Sequence, residues 1–330
     1  MVKRMPPSGN RFQILYYNRT MLTRLDECWF LTGPTAAGKS VVAIELARRI
    51  DGEILSLDSM AVYRSLDIGT AKPSPSERQA VPHHLLDLLE PTDDFSIAQY
   101  LDAAQEVVQQ ILDRGRQPLF VGGSPLYLKA ILRGLFDGPP ADWKYRSELE
   151  DIARQEGSDA LHARLATVDP AAAARLHPND TRRLIRALEV FHRTGQPISS
   201  LQTQFAAARE TDPCRVFVLD WPRDELHRRI NARVDAMFAA GWVEEVRQFL
   251  VAGKALSRTA SQAVGYREIL EHLAGERDIA ETTDLIKQRT RQSAKRQLTW
   301  LHSLPECRWI AVVNPFDPAA VAQQIAAAQP

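Results

Sequence analysis

Gly33-Pro34-Thr35-Ala36-Ala37-Gly38-Lys39-Ser40 is the stretch that decides how this chain folds. It follows the apolar run Trp29-Phe30-Leu31 and leads into a helical pattern over residues 41–50, the strand-loop-helix setting of the P-loop template G-x-x-x-x-G-K-[ST]. Glycines let backbone N–H groups turn inward around a phosphate, the helix N-terminus adds partial positive charge, and Lys39 supplies a full one. The Ser40 hydroxyl is placed to share a Mg2+ ion with the phosphates. The competing reading is a chance glycine turn ahead of a helix, and the flanking strand and helix weigh against it.

Working outward, residues 52–57 read as a second buried strand that ends at Asp58-Ser59-Met60-Ala61-Val62-Tyr63. Ligands of open α/β sheets sit beyond the carboxyl ends of the strands, so Asp58 is expected in the same crevice as Lys39 and becomes a catalytic candidate rather than a turn cap. The loop Asp67-Ile68-Gly69-Thr70-Ala71-Lys72-Pro73 offers Thr70 and Lys72 either to a ligand or to solvent. His83 and His84 have no acidic or cysteine partner at ligand spacing, which favours packing or hydrogen bonding over metal binding. Residues 95–114 carry helical spacing behind a Ser96 cap, and residues 117–121 form a third strand. That strand runs into Gly122-Gly123-Ser124, a second phosphate-shaped turn or a serine-capped helix start. A P-loop NTPase would usually place a Mg2+-holding aspartate there. Its absence points to a phosphate group that is held and released, with less support for a triphosphate that is split.

From Gly138-Pro139-Pro140 the composition shifts to alanine-rich, charged helices over residues 146–155, 159–167, 170–176 and 181–193. On the last of these Arg182 and Arg186 share a face with Arg183 beside them, either solvated or set against a phosphate backbone. A strand over 215–219 returns the chain to the sheet, and a helical pattern follows over 223–251. There Arg229 and Arg233 stand one turn apart, as an anion clamp or as partners of Asp224, Glu225 or Asp235. A helix over 286–301 sets Lys287, Arg291 and Lys295 in one stripe beside Ile286, Thr290, Ala294 and Leu298, so one face packs and the other is cationic.

The expected fold is α/β: a P-loop NTPase-like parallel sheet flanked by helices, with an inserted helical domain. The expected divisions are a poorly ordered extension (1–27), core (28–140), helical insertion (141–211), core with the basic helix (212–315) and a tail (316–330). The chain has 330 residues, 45% hydrophobic and 25% charged, enough for a full core and more than one folding unit. Basic and acidic residues number 41 each, so any nucleic-acid contact must come from a local patch. Cys28, Cys214 and Cys307 lie too far apart for a zinc or disulfide framework, consistent with a reducing cytoplasm. The apolar run around residues 14–17 is too short for a secretory leader, and no stretch is long enough to span a bilayer.

Four stretches together resemble the tRNA dimethylallyltransferase family, over about residues 28–309. They are the P-loop; Asp58-Ser59-Met60-Ala61-Val62-Tyr63 with Asp67-Ile68-Gly69-Thr70-Ala71-Lys72-Pro73; Val121-Gly122-Gly123-Ser124-Pro125-Leu126-Tyr127; and Val264-Gly265-Tyr266-Arg267 with Thr290-Arg291-Gln292-Ser293-Ala294-Lys295-Arg296-Gln297. The motifs are specific in combination and weak singly. The resemblance implies that the P-loop residues, with Lys39 and Arg233, bind the diphosphate of dimethylallyl diphosphate. It further implies that Asp58 is the general base on an adenine N6 amine and that Ser124 helps hold the diphosphate. A tRNA surface is implied at Asp58, Ser59, Met60, Ala61, Ser124 and Arg146; at Arg182, Arg183, Leu184, Ile185 and Arg186; at Ala263, Val264, Gly265, Tyr266, Arg267 and Glu268; and along the eight residues from Thr290 to Gln297. The partner would be the tRNA anticodon stem-loop, met by a monomer. The family commonly has threonine at Ser124 and glutamine at Ala61. Serine keeps the hydroxyl, whereas Ala61 cannot make the hydrogen bond.

The chemistry follows from the residue types. An exocyclic adenine amine is a weak nucleophile, and a carboxylate that takes its proton accelerates attack by ~10²- to 10⁴-fold. Charge building on the departing diphosphate can be met by Lys39, Mg2+, loop amides and Arg233. The adenosine must leave its stack to reach the loop. Three other readings stay open at this point: a P-loop kinase of a small nucleoside or metabolite, a noncatalytic RNA-binding switch, and a transferase acting on free adenine nucleotide.

Overall fold

The computed structural model describes residues 18–19, 22, 24–136, 138–202, 215–251, 253 and 255–328. The described strands are β1 (Asn18–Arg19), β2 (Trp29–Thr32), β3 (Gly52–Ser56), β4 (His83–His84), β5 (Gln117–Val121), β6 (Leu135–Phe136), β7 (Arg215–Asp220) and β8 (Cys307–Ala311). Six of them form one sheet in the order β4-β3-β5-β2-β7-β8, with every neighbouring pair parallel. Parallel neighbours need helical crossovers that cover both faces, which is why β2 and β3 are buried along their whole length. β2 lies between β5 and β7, so the turns leaving β2, β3 and β5 emerge at one edge of the sheet.

The contacts divide the chain into two compact units, Met1–Thr20 with Arg133–Ala208 and Met21–Leu132 with Arg209–Pro330. The first contains the helices Trp143–Gln155, Ser158–Val168, Pro170–Arg175 and Thr181–Thr194 around a core of Leu149, Leu161, Leu165, Leu184 and Leu188. Its outer boundaries are Arg133 and Ala208, against the expected 141–211. Of the expected N-terminal extension, residues 1–17, 20, 21 and 23 lie outside the described residues, whereas β1 pairs antiparallel with β6.

Several boundaries differ from the sequence reading for identifiable reasons. The helix expected over 223–251 is two helices, Arg223–Ala239 and Trp242–Val251, separated where Gly241 takes a φ of +96°. The basic helix starts earlier, as Ile279–His302, because Asp278 caps it and forms a reciprocal capping box with Glu281. The expected tail contains β8's successor, a helix Pro318–Ala327 capped by Asp317, whose Ala322 and Ile325 are fully buried. It belongs to the core around the helix Lys39–Arg49, with Val42, Ala43 and Leu46. Among the described residues, no helix is long and apolar enough to cross a membrane.

Candidate active site at the P-loop

The loop after β2 is bent by its small residues. Gly33 has φ +139° and Gly38 φ +86°, and a Cβ on Gly38 would come within 2.8 Å of the Phe316 ring. Ala36 adopts φ +63°, which an L residue seldom does without support. That support comes from side chains bonded to the loop backbone. Lys39 Nζ donates to Gly33 O at 3.0 Å and Pro34 O at 2.7 Å. Arg229 Nε donates to Ala36 O at 2.9 Å, and Trp221 Nε1 donates to Ala37 O at 2.9 Å. Thr35 N donates to Gln297 Oε1 at 3.0 Å.

A cavity of about 340 Å³ opens above this loop, within the size range of small-ligand sites. Thr35, Ala36, Ala37, Gly38, Lys39 and Ser40 line it, together with Asp58, Ala61, Thr70, Gly122, Gly123, Arg229, Arg233 and Gln297. The P-loop, the end of β3 and Gly122-Gly123 therefore meet at one cavity, whereas Ser124 is not among its lining residues. Ser124 joins by tying loops together: its Oγ accepts the Ser59 N–H at 3.1 Å, and its own N–H donates to Leu57 O at 3.2 Å. A hydroxyl used as acceptor still has its proton to donate. Asp58 Oδ1 accepts the Met60 N–H at 2.8 Å, leaving acceptor capacity toward the cavity.

Charge in the cavity is concentrated. Burial, and then the like charge of Arg233, pull Lys39 down to about 7, while Asp58 acts to raise it. Burial also lowers Arg233, again opposed by Asp58. An anion entering here would relieve two crowded cations, and Asp58 is the sole acid among the lining residues. A metal would need ligands from elsewhere: among the described residues, no cluster of three His, Cys, Asp or Glu side chains could hold one. The exposed Ser40 hydroxyl at the helix N-terminus suits a Mg2+ ion carried mainly by phosphate oxygens and water.

The loop over 67–73 is anchored by its own hydrogen bonds, and both Thr70 and Lys72 also line the cavity. Lys72 is buried, donating to Tyr63 O at 2.5 Å, Asp67 Oδ1 at 2.7 Å and Asp87 Oδ1 at 2.6 Å. Thr70 donates to Leu66 O. Glu245 accepts the N–H groups of Asp67 at 2.8 Å, Ile68 at 2.7 Å and Gly69 at 3.3 Å, and the Tyr266 hydroxyl at 2.8 Å. His83 bonds Val81 O at 2.8 Å and His84 bonds Glu53 at 2.6 Å, as hydrogen-bonding rather than metal-binding histidines do.

The residues expected along an RNA surface divide by burial. In the helical unit, Leu184 and Ile185 are core residues, while Arg182 and Arg183 are exposed. Arg146 makes a two-point bridge to the buried Glu189, at 2.7 Å for both contacts, and Arg186 reaches the same carboxylate at 2.5 Å. In the larger unit Ala263, Tyr266 and Glu268 are buried, with Glu268 accepting from the Gly265 N–H at 2.8 Å and from Arg289. Those three side chains are committed inside the fold, which leaves the exposed Arg267, the half-buried Val264 and the backbone for any RNA contact there. Along the basic helix Ala294 is buried, Thr290 bonds Ile286 O, Lys287 pairs with Asp235 at 2.6 Å, and Arg291 donates to Asn231 at 2.6 Å. Gln292, Lys295 and Arg296 are exposed and line a surface groove with Thr299 and Trp300. Gln297 turns inward, its Nε2 donating to Gly123 O at 2.6 Å while Oε1 holds Thr35 N. Sequence spacing gave no sign of the roles of Gln297, Arg229, Trp221 or Glu245, because each is brought to its loop from a distant segment.

Known proteins resemble this chain in sequence and in fold. The sequence model of the family described as IPP transferase matches residues 61–304. A tRNA dimethylallyltransferase of Geobacter sulfurreducens is 48% identical over 287 residues, covering 87% of this chain and 92% of the relative. One from Geobacter metallireducens is 50% identical over 285 residues, covering 86% and 92%. Among solved structures, the tRNA isopentenylpyrophosphate transferase of Bacillus halodurans superposes with a TM-score of 0.66 at 37% identity, covering 91% of this chain and 96% of that one. A eukaryotic dimethylallyltransferase acting on tRNA gives 0.69 at 26% identity, covering 86% and 73%. The chain belongs to the IPP transferase family.

Proposed function

We propose that this chain transfers a dimethylallyl group from dimethylallyl diphosphate to the N6 amine of an adenosine beside the anticodon of tRNA, releasing diphosphate. One observation carries the reading: a single carboxylate, Asp58, lines the same cavity as the cationic P-loop and acts electrostatically on both Lys39 and Arg233. Asp58 takes the N6 proton as the nitrogen bonds to the allylic carbon. The carbon–oxygen bond breaks and its electron pair leaves with the diphosphate, whose charge Lys39, Arg233 and the first-turn N–H groups of the helix Lys39–Arg49 stabilise. Ser124 holds the Asp58 loop against the Gly122-Gly123 turn and has a proton to offer the diphosphate. Ser40 would help hold a Mg2+ ion, which would supply further neutralisation of the leaving-group charge.

The RNA reading draws on the exposed Arg182, Arg183, Arg267, Gln292, Lys295 and Arg296. The enzyme is read as a cytoplasmic monomer that meets the anticodon stem-loop. The test is a transfer reaction with tRNA, followed by mass spectrometry of the nucleosides. A dimethylallyl mass added to adenosine supports the proposal. Label passing from γ-phosphate-labelled ATP into product, with no prenyl transfer, would replace it with the kinase reading.

A further inference from the structure

A P-loop grips phosphate through backbone N–H groups, and in a planar trans peptide the N–H points opposite to the carbonyl it shares a plane with. Fixing a loop carbonyl therefore aims the N–H of the next residue. Two carbonyls of this loop are fixed from outside it. Arg229 Nε holds Ala36 O and Trp221 Nε1 holds Ala37 O, each at 2.9 Å. The first bond turns the Ala37 N–H onto Pro34 O at 3.3 Å and so closes the loop on itself, and the second aims the Gly38 N–H, the last before the helix begins.

These two donors form one stack. The Arg229 guanidinium carbon is 4.3 Å from the Trp221 ring centroid and 5.1 Å from that of Phe316. Trp221 and Phe316 themselves meet edge to face at 5.3 Å. Phe316 also closes on Gly38, leaving no room for a side chain there. The residue Arg229 holds is Ala36, whose left-handed backbone is sterically unfavourable for an L residue and needs an external restraint. A guanidinium can stack on aromatic rings and still present an in-plane N–H to a carbonyl, which a lysine ammonium cannot do.

We propose that Arg229 is a positioning residue for diphosphate binding: packed against both Trp221 and Phe316, it fixes Ala36 and so sets the loop that Lys39 and Arg233 complete with charge. The inference rests on the P-loop being the diphosphate site. It goes beyond that reading by assigning a role to an arginine whose work is done through the loop backbone.

The full chain, with Arg229→Met and Arg229→Lys, is titrated with inorganic diphosphate by calorimetry, and separately with tRNA. Loss of a charged hydrogen bond predicts diphosphate binding weakened roughly 10- to 100-fold in both variants. The KM for prenyl diphosphate should rise in parallel, with kcat less affected and tRNA affinity within about twofold. Full recovery in Arg229→Lys would show that charge alone matters and overturn the positioning role. So would unchanged diphosphate affinity in both variants, or an equal loss of tRNA affinity. If Arg229→Met does not fold, Phe316→Leu removes one side of the stack; weakened diphosphate binding then supports the inference, and unchanged binding overturns it. Lys39→Ala is the control for the underlying site. If it too binds diphosphate normally, the P-loop assignment itself fails, a result distinct from failure at Arg229 alone.

Discussion

Replacing Asp58 by asparagine separates proton acceptance from the other work of the carboxylate. Oδ1 of Asp58 accepts the Met60 N–H at 2.8 Å, a bond the asparagine carbonyl can keep, so the loop after β3 should hold its shape. Asp58→Ala would lose that bond as well, at about 0.5–1.5 kcal/mol. An amide has no useful basicity, and among the described residues no other acid lines the cavity to take the N6 proton. Removing a general base typically costs ~10²- to 10⁴-fold, or roughly 3 to 5 kcal/mol of barrier. A second effect runs the other way. The charge of Asp58 acts to raise both Lys39 and Arg233, so its loss leaves two cations facing each other without a counterion. Incoming diphosphate supplies the missing negative charge, and its binding should be unchanged or tighter. The expected signature is a large fall in kcat, no rise in KM for dimethylallyl diphosphate, and tRNA affinity within about twofold. Single-turnover transfer of a labelled prenyl group to a tRNA transcript, with binding measured separately, reads all three. A kcat loss of less than about tenfold would refute the base assignment, as would a matching loss of tRNA affinity.

Four further outcomes follow from the geometry. Gln297→Ala removes both bonds between the P-loop and Gly123, and kcat/KM for the prenyl diphosphate should fall about tenfold, given roughly 1 kcal/mol per bond with partial solvent replacement; tRNA binding measured alongside should change little. Lys39, held at about 7 by burial and Arg233, must be protonated to meet an anion, so diphosphate affinity should fall as pH rises above 7, approaching tenfold per unit. Calorimetry across that range should find this slope absent in Lys39→Met. Glu189 is held below the usual carboxylate range: burial opposes its charge, but Arg146, Arg186 and the Asp142 N–H outweigh it. Its stabilisation is therefore present above the unfolded value, roughly 4.3, and lost as pH falls through the folded one. Glu189→Gln should cost the helical unit about 3 kcal/mol at neutral pH, near the lower limit because both arginines retain solvent contact, and flatten that acid dependence in hydrogen-exchange measurements. Lys295→Ala with Arg296→Ala should lower the salt slope of tRNA binding by about 1.5 if both meet phosphates.

The parts of the fold readable in advance were those whose chemistry is local. The P-loop and the turn ending at Asp58 declare themselves by spacing, and parallel-sheet strands by continuous burial, so the crevice that unites Lys39, Asp58 and Gly123 could be anticipated. Gly241 gives no such notice, because a single glycine inside a helical pattern costs only about 1 kcal/mol and periodicity alone does not reveal that it will take a positive φ. The helix Pro318–Ala327 had a usable signal in Asp317 followed by Pro318, with Ala322 and Ile325 three apart. Arg229 stands out in the sequence as a candidate anion clamp, but neither its bond to Ala36 nor that of Gln297 to Thr35 has a local signal, since the partners lie 193 and 262 residues apart. Burial produced the other difference. Resemblance points to a surface stretch at 263–268, but the fold spends Tyr266 on Glu245 and Glu268 on Gly265 and Arg289.

The most direct measurement is a structure of the full chain with tRNA and a non-transferable thio analogue of dimethylallyl diphosphate. The diphosphate is expected against Lys39 and Arg233, with the adenine N6 within about 2.6–3.2 Å of an Asp58 carboxylate oxygen. An adenine bound elsewhere, or facing the P-loop with Asp58 directed away from its amine, would contradict that placement.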